Sequence, residues 1–175
     1  MKHHLKQKKQ GLYNPINEHD SCGVGFVANI HGKQSHKIIS QGLELLTNLT
    51  HRGATGYDPK LGDGAGILIQ IPDAFFKNEF EANGLKLPPL GDYAVGMCFL
   101  PQSKKNRELC ESKIKQIIED EKQVFISWRD VPYKNDDIAD AAKAVQPTIK
   151  QVFIQRNKSL ANQAAFERKL FVIRK

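Results

Sequence analysis

Apolar residues in this chain recur with two alternating periods, and that alternation limits the folds open to it. Cys22-Gly-Val-Gly-Phe-Val-Ala-Asn-Ile30 reads as a strand whose glycines sit where bulk would obstruct close approach. Ile38, Ile39, Leu43, Leu45, Leu46 and Leu49 then recur at helical spacing, predicting a helix from about His36 to Thr50 with Ser35 as cap. Asp63–Pro72 reads as a buried strand, followed by a short helix capped by Asp73, carrying Phe75, Phe76 and Phe80 and closing near Asn83-Gly84. Further strands are expected at Tyr93–Leu100, Val124–Val131, Thr148–Ile154 and Leu170–Ile173, with helices at Ser103–Glu121, Asp137–Val145 and 160–169. Taken alone, strands alternating with helices predict a parallel α/β sheet. The length of 175 residues suits one domain or a piece of a larger one. Because Leu170–Ile173 reads as a strand with only Arg174 and Lys175 beyond it, a truncated larger domain and a complete small one fit equally.

Composition, with 13 glycines and 40% hydrophobic residues, excludes collagen, coiled coil and wholesale disorder. The densest apolar run, Ala65–Ile71, includes Gly66 and Gln70 and falls far short of the ~18 residues of a membrane span. Of the net charge of +7, Lys2, Lys6, Lys8 and Lys9 carry four, so basicity is concentrated in a leading tail. Such a tail attracts nucleic acid or anionic lipid, but without interleaved aromatics the expectation is a solvated or removable leader and no nucleic-acid or membrane partner. It lacks the apolar segment of a secretory signal. Three cysteines without a C-x-x-C pair then predict free thiols in the cytoplasm. Cys98 and Cys110 occupy apolar stripes, where a thiol behaves as a small hydrophobe.

Three groupings invite chemistry. Gly62-Asp-Gly-Ala-Gly66 resembles a phosphate loop, but such a loop opens a helix, whereas a β-rich run follows here. A tight turn feeding a strand is the plainer reading. His19, Asp20 and Cys22 lie within four residues and lack the spacing of ligands that share one ion, so no metal is expected. Cys22 is either a cysteine at a strand start or a nucleophile. A thiol attacks an amide with help from only a modest base. Were the Ser21–Cys22 bond cut, the freed α-amino group, with a pKa of about 8, would supply that base.

Taken together, Gly11–Ala28 around Cys22-Gly-Val-Gly, Leu49-Thr-His-Arg-Gly-Ala-Thr-Gly-Tyr-Asp58 and Gly62-Asp-Gly-Ala-Gly-Ile-Leu-Ile-Gln-Ile-Pro-Asp-Ala-Phe-Phe76 closely resemble the amino terminus of the glutamate synthase large-subunit family. The resemblance implies a class II glutamine amidotransferase domain of α+β class. Its fold would be an N-terminal-nucleophile hydrolase, a four-layer αββα sandwich that is incomplete here, with largely antiparallel sheets in place of the parallel one. It implies residues 1–21 as a propeptide and 22–175 as the N-terminal part of the domain. Cys22 matches the catalytic cysteine, and Arg52 the arginine beside it. A guanidinium there either favours the thiolate or grips a glutamine carboxylate; by itself Arg52 reads as a cation at a helix end. Gly53 and Gly64 match structural glycines, and Asp63 is a supporting residue.

The implied activity is hydrolysis of glutamine to glutamate and ammonia, the ammonia then serving reductive amination of 2-oxoglutarate. The family's oxyanion-hole Asn-Gly pair and its acidic residue for the glutamine ammonium belong to a later portion. No cofactor is expected in this segment; FMN, an iron–sulfur cluster and NADPH or ferredoxin are implied for the full-length enzyme. The implied partners are glutamine, the rest of the synthase chain and a small electron-transfer subunit. Losing an oxyanion donor typically costs ~10²–10³ in rate, so the segment alone is expected to have little glutaminase activity. The competing reading is a non-catalytic amidotransferase-like module for regulation or interaction.

Overall fold

The structure, a computed structural model, describes Gly11, residues 23–50, Gly53, Asp58, residues 60–62 and residues 64–175. It divides into two compact units, one reaching Ile69 and one starting at Gln70.

In the first unit, α1 (His36–Asn48) occupies the expected stretch. Ser35 holds the N-cap position with extended backbone, but its side chain makes no capping hydrogen bond. Residues 23–29 and 64–69 are extended but lie in no β-ladder among the described residues, contrary to the two strands expected there. Alternating apolar character prepares a segment for a sheet, but a strand exists only where a second backbone supplies hydrogen bonds. Val24 and Phe26 are 93% and 91% exposed, and Leu68 is fully so.

The second unit is a three-stranded sheet with helices on both faces. Its elements are α2 (Asp73–Ala82), β1 (Tyr93–Leu100), α3 (Lys104–Asp120), β2 (Val124–Asp130), α4 (Asp140–Val145), β3 (Thr148–Gln155) and α5 (Gln163–Arg174). The strand order is β1-β3-β2, and β3 is antiparallel to both neighbours. The parallel sheet predicted by alternation is thus corrected. β1 and β2, joined through α3, do run the same way, but β3 inserts between them in the opposite sense. Periodicity specifies strands and helices; it carries no information on which strand a third one will split.

Phe153, fully buried on β3, anchors one face. Phe76 and Phe80 of α2 reach it with ring centroids 5.0 and 4.5 Å away, and Tyr93 stacks at 6.4 Å. Leu87 completes this cluster, with Ile71, Val95 and Ile126 packed around it. On the opposite face, Val152 and Ile154 meet Ile118 of α3 and Phe166 of α5. A bulge in β2 between Phe125 and Ser127 puts Phe125 and Trp128, three residues apart, in the same α3/α5 cluster.

Polar groups tie the ends of these elements. Arg129 donates from Nε and Nη2 to Glu79 Oε2 at 3.1 and 2.8 Å, and from Nη1 to Gln151 Oε1 at 3.1 Å. Its guanidinium also lies over the Phe75 ring at 5.3 Å. Gln123, buried, accepts a hydrogen bond from Asn157 N–H and donates one to Glu121 C=O, joining the α3–β2 turn to the end of β3. Asp73 is the first residue of α2 and not its cap, a position held by Pro72. Its carboxylate accepts from Lys77 Nζ at 2.7 Å and from the Tyr93 hydroxyl at 3.0 Å. The Lys77 bond foremost, with Tyr93 adding to it, holds the Asp73 carboxyl below its usual range, while burial and then Asp73 itself push Tyr93 up.

The strand expected at Leu170–Ile173 is instead the end of α5. The Asn162 side chain caps that helix, accepting from Ala165 N–H at 3.0 Å. Phe166, Leu170 and Ile173 then fall on one helical stripe and pack in the same cluster. A short apolar run of four reads as either element by composition; the cap and the stripe decide it.

Both α2 and α3 close with paired hydrogen bonds that require a left-handed residue. After α2 that residue is Gly84 (φ +72°), with Leu85 N–H bonded to Phe80 C=O. After α3 it is Lys122 (φ +61°), with Gln123 N–H bonded to Ile118 C=O. The two turns make opposite expectations in urea unfolding. Gly84→Ala lowers stability by about 1 kcal/mol, whereas Lys122→Gly raises it by about 0.5–1 kcal/mol. Truncating the central ring, Phe153→Ala, costs about 3–5 kcal/mol by the same measurement. Because the Asp73 carboxyl sits lower in the folded state than unfolded, its contribution is present above its ordinary pKa of 3.8 and lost as pH falls through the folded value. An acid unfolding curve of Asp73→Asn is expected to lack that part of the loss.

Candidate active site

The candidate residues named from the sequence all belong to the stretch of chain that makes up the first unit. Cys22, Arg52 and Asp63 lie outside the described residues, as do His19 and Asp20 of the rejected metal set and the basic tail. What the structure shows is the backbone on either side of them.

Gly23 and Gly25 lie against α1. A Cβ built on Gly23 would stand 2.9 Å from Leu49 Cδ2, and one on Gly25 would stand 2.5 Å from Leu45 Cδ1. Contacts under about 3 Å essentially never occur at real Cβ atoms, so a side chain added at either glycine would require the leucine tips or the segment to shift. The close approach expected of these glycines is therefore present, although among the described residues the ladder expected of the segment is not. Sequence reasoning assigned Leu45 and Leu49 to an apolar helix face without identifying what they touch; their i, i+4 spacing, matched to glycines two apart, is the signal that was available.

At the far end of α1, Leu49 N–H bonds to the carbonyls of Leu45 and Leu46, and the Thr50 hydroxyl donates to Thr47 C=O at 2.6 Å. Gly53 N–H then closes a turn onto Thr50 C=O at 3.1 Å. A Cβ on Gly53 would make only an ordinary 3.5 Å contact with that carbonyl, and one on Gly64 would meet nothing. Neither glycine has a left-handed backbone. Gly64 opens an extended stretch, and among the described residues after it the first helix begins only at Asp73, so the Gly62–Gly66 cluster lacks the helix N-terminus that a phosphate loop needs.

The other two cysteines are both free, and neither is exposed. Burial, with the nearby Glu111 charge adding to it, pushes the Cys98 thiol up, so it keeps its proton at neutral pH. The second unit carries a groove of about 400 Å³ between α2 and β2, lined in part by Glu79, Asn83, Ser127 and Arg129. Its guanidinium is already committed to Glu79 and Gln151. Among the described residues no cluster of His, Cys, Asp or Glu could hold a metal, and no helix is long and apolar enough to cross a membrane.

Comparison with known proteins bears on the same segments. The chain is 46% identical over its whole length to the glutamate synthase (NADPH) large chain of Bacillus subtilis. It is 41% identical over 99% of its length to glutamate synthase (NADH) of Saccharomyces cerevisiae. It is also 35% identical over 91% of its length to ferredoxin-dependent glutamate synthase 2 of Synechocystis. In each case the chain spans only about a tenth of the relative, 11%, 9% and 10% respectively. The family described as glutamine amidotransferases class-II matches residues 22–175, beginning at Cys22. With the match running from that cysteine through both units, the chain belongs to the class II glutamine amidotransferases.

Proposed function

We propose that this chain is the amino-terminal part of the glutamine amidotransferase domain of a glutamate synthase, with Cys22 as its nucleophile. The observation that carries this reading is that the family match begins at Cys22 and leaves residues 1–21 outside it, which supports reading them as a leader to be removed. Once Cys22 is the first residue, its α-amino group takes the thiol proton and the sulfur attacks the carboxamide carbon of glutamine. The C–N bond breaks, ammonia departs with that proton, and water hydrolyses the glutamyl thioester to glutamate. Arg52 would act beside the sulfur, favouring the thiolate or holding the substrate carboxylate through two parallel hydrogen bonds. Asp63, Gly53 and Gly64 would support the loops that carry these groups.

In the full-length enzyme the ammonia would aminate 2-oxoglutarate reductively, using FMN, an iron–sulfur cluster and NADPH, NADH or ferredoxin bound elsewhere in the synthase. Relatives named for all three electron donors share this segment, which fits a role in the glutamine chemistry common to them. The finer fold would be the four-layer αββα sandwich. Supporting it are the extended, apolar and largely exposed stretches 23–29 and 64–69, which would pair with strands from the rest of the domain. A cytoplasmic location fits the free Cys98 and Cys110 thiols.

The full-length enzyme treated with diazo-oxo-norleucine, a glutamine-analogue electrophile, is expected to carry the adduct on Cys22. Labelling at Cys98 or Cys110 with Cys22 untouched would refute the assignment. Cys22→Ala is expected to lower glutamine-dependent turnover by about a thousandfold or more. N-terminal sequencing of active enzyme is expected to start at Cys22, and retention of residues 1–21 would refute the processing step.

A further inference from the structure

Successive residues of the segment that follows Cys22 divide between two sides. Gly23 and Gly25 lie on α1, while Val24 and Phe26 stand almost fully exposed. The contacted residues are Leu45 of α1 and Leu49 at its C-cap, about one turn apart. Two residues along extended backbone span about 6.6 Å, and four along a helix about 6 Å. The spacings match, so the segment is seated at two points at once, Gly23 on Leu49 and Gly25 on Leu45, running opposite to the helix. A slip of one residue would drive Val24 into a leucine, which fixes the register.

Resting on the assignment of Cys22 as nucleophile, we propose that Leu45 and Leu49 are positioning residues for it. By seating Gly25 and Gly23 they set the position of the chain where Cys22 joins it. Gly23 is bonded directly to Cys22, so a displacement of the seat passes to the sulfur through one peptide unit. The seat at Gly25 is the tighter. An added Cβ there meets not only the Leu45 methyls at 2.5 and 2.9 Å but also Cγ at 3.1 Å, so turning the methyls alone does not relieve it. Either the leucine or the segment must move, and a shift near 1 Å at a reacting group can cost about a hundredfold in rate.

The test uses the full-length enzyme and diazo-oxo-norleucine. It reads the labelling rate constant at saturation and the half-saturating concentration, taken on the fraction of molecules that labels. Gly25→Ala is expected to slow labelling of Cys22 about tenfold or more, with the half-saturating concentration held within about twofold. Leu45→Ala alone is expected to slow labelling as well, because the seat is lost, whereas the pair, in which the new methyl takes up space the leucine leaves, is expected to recover most of the lost rate. A merely destabilised protein would label in smaller amount at an unchanged rate constant, and would be made worse by the second truncation. Labelling of Gly25→Ala at the unsubstituted rate overturns the proposal, as does slow or absent labelling that Leu45→Ala leaves uncorrected. Absence of label at Cys22 in the unsubstituted enzyme overturns the nucleophile assignment itself, which keeps the two failures apart.

Discussion

Phe153 sits in the middle strand of the sheet with its ring against Phe76, Phe80 and Tyr93, and its neighbours Val152 and Ile154 point to the other face against Ile118 and Phe166. Three consecutive residues of β3 therefore hold α2 on one side and α3 and α5 on the other. Each aromatic pair adds about 0.5–1.5 kcal/mol to what burial alone contributes. The hydrogen-bonded registers of β1 and β2 both depend on β3 staying between them. Polar ties at the margins, Arg129 to Glu79 and the Arg156–Asp92 ion pair, fix where the ends of the elements meet this core. They are partly exposed and add modestly to it.

The first unit uses a different economy of contacts. Its helix has no fully buried residue, and the segment laid along it has glycine where it touches. Contact is made through backbone and leucine methyls, so register matters more than buried area. Glycine contributes little hydrophobic burial, but it lets the backbone lie against the leucine tips without displacing them.

Much of this was legible in the residues. The helical spacing of Ile38 to Leu49 gave α1, the aromatic triad gave α2, Asn83-Gly84 gave its closure, and β1 was bounded correctly at Tyr93 and Leu100. The combined motifs around Cys22, Arg52 and Gly64 pointed to the family that the comparisons then showed. Leu170–Ile173 was misread because four apolar residues carry too short a pattern to separate a period of 2 from one of 3.6. Residues 23–29 and 64–72 were read as strands because their apolar character is strand-like, whereas ladder pairing depends on a second segment.

What the sequence by itself determined is local: which stretches are helical, where two of the helices stop, and which cysteine opens the family's motif. Those features follow from side-chain spacing and backbone preference within a few residues. The tertiary structure decided the insertion of β3 between β1 and β2, the docking of α5 through Phe166, and the seating of Gly23 and Gly25 on Leu49 and Leu45. Each of these joins residues distant in the chain. Such contacts are selected by shape and by what else is buried with them, and neither is written in any one stretch of residues.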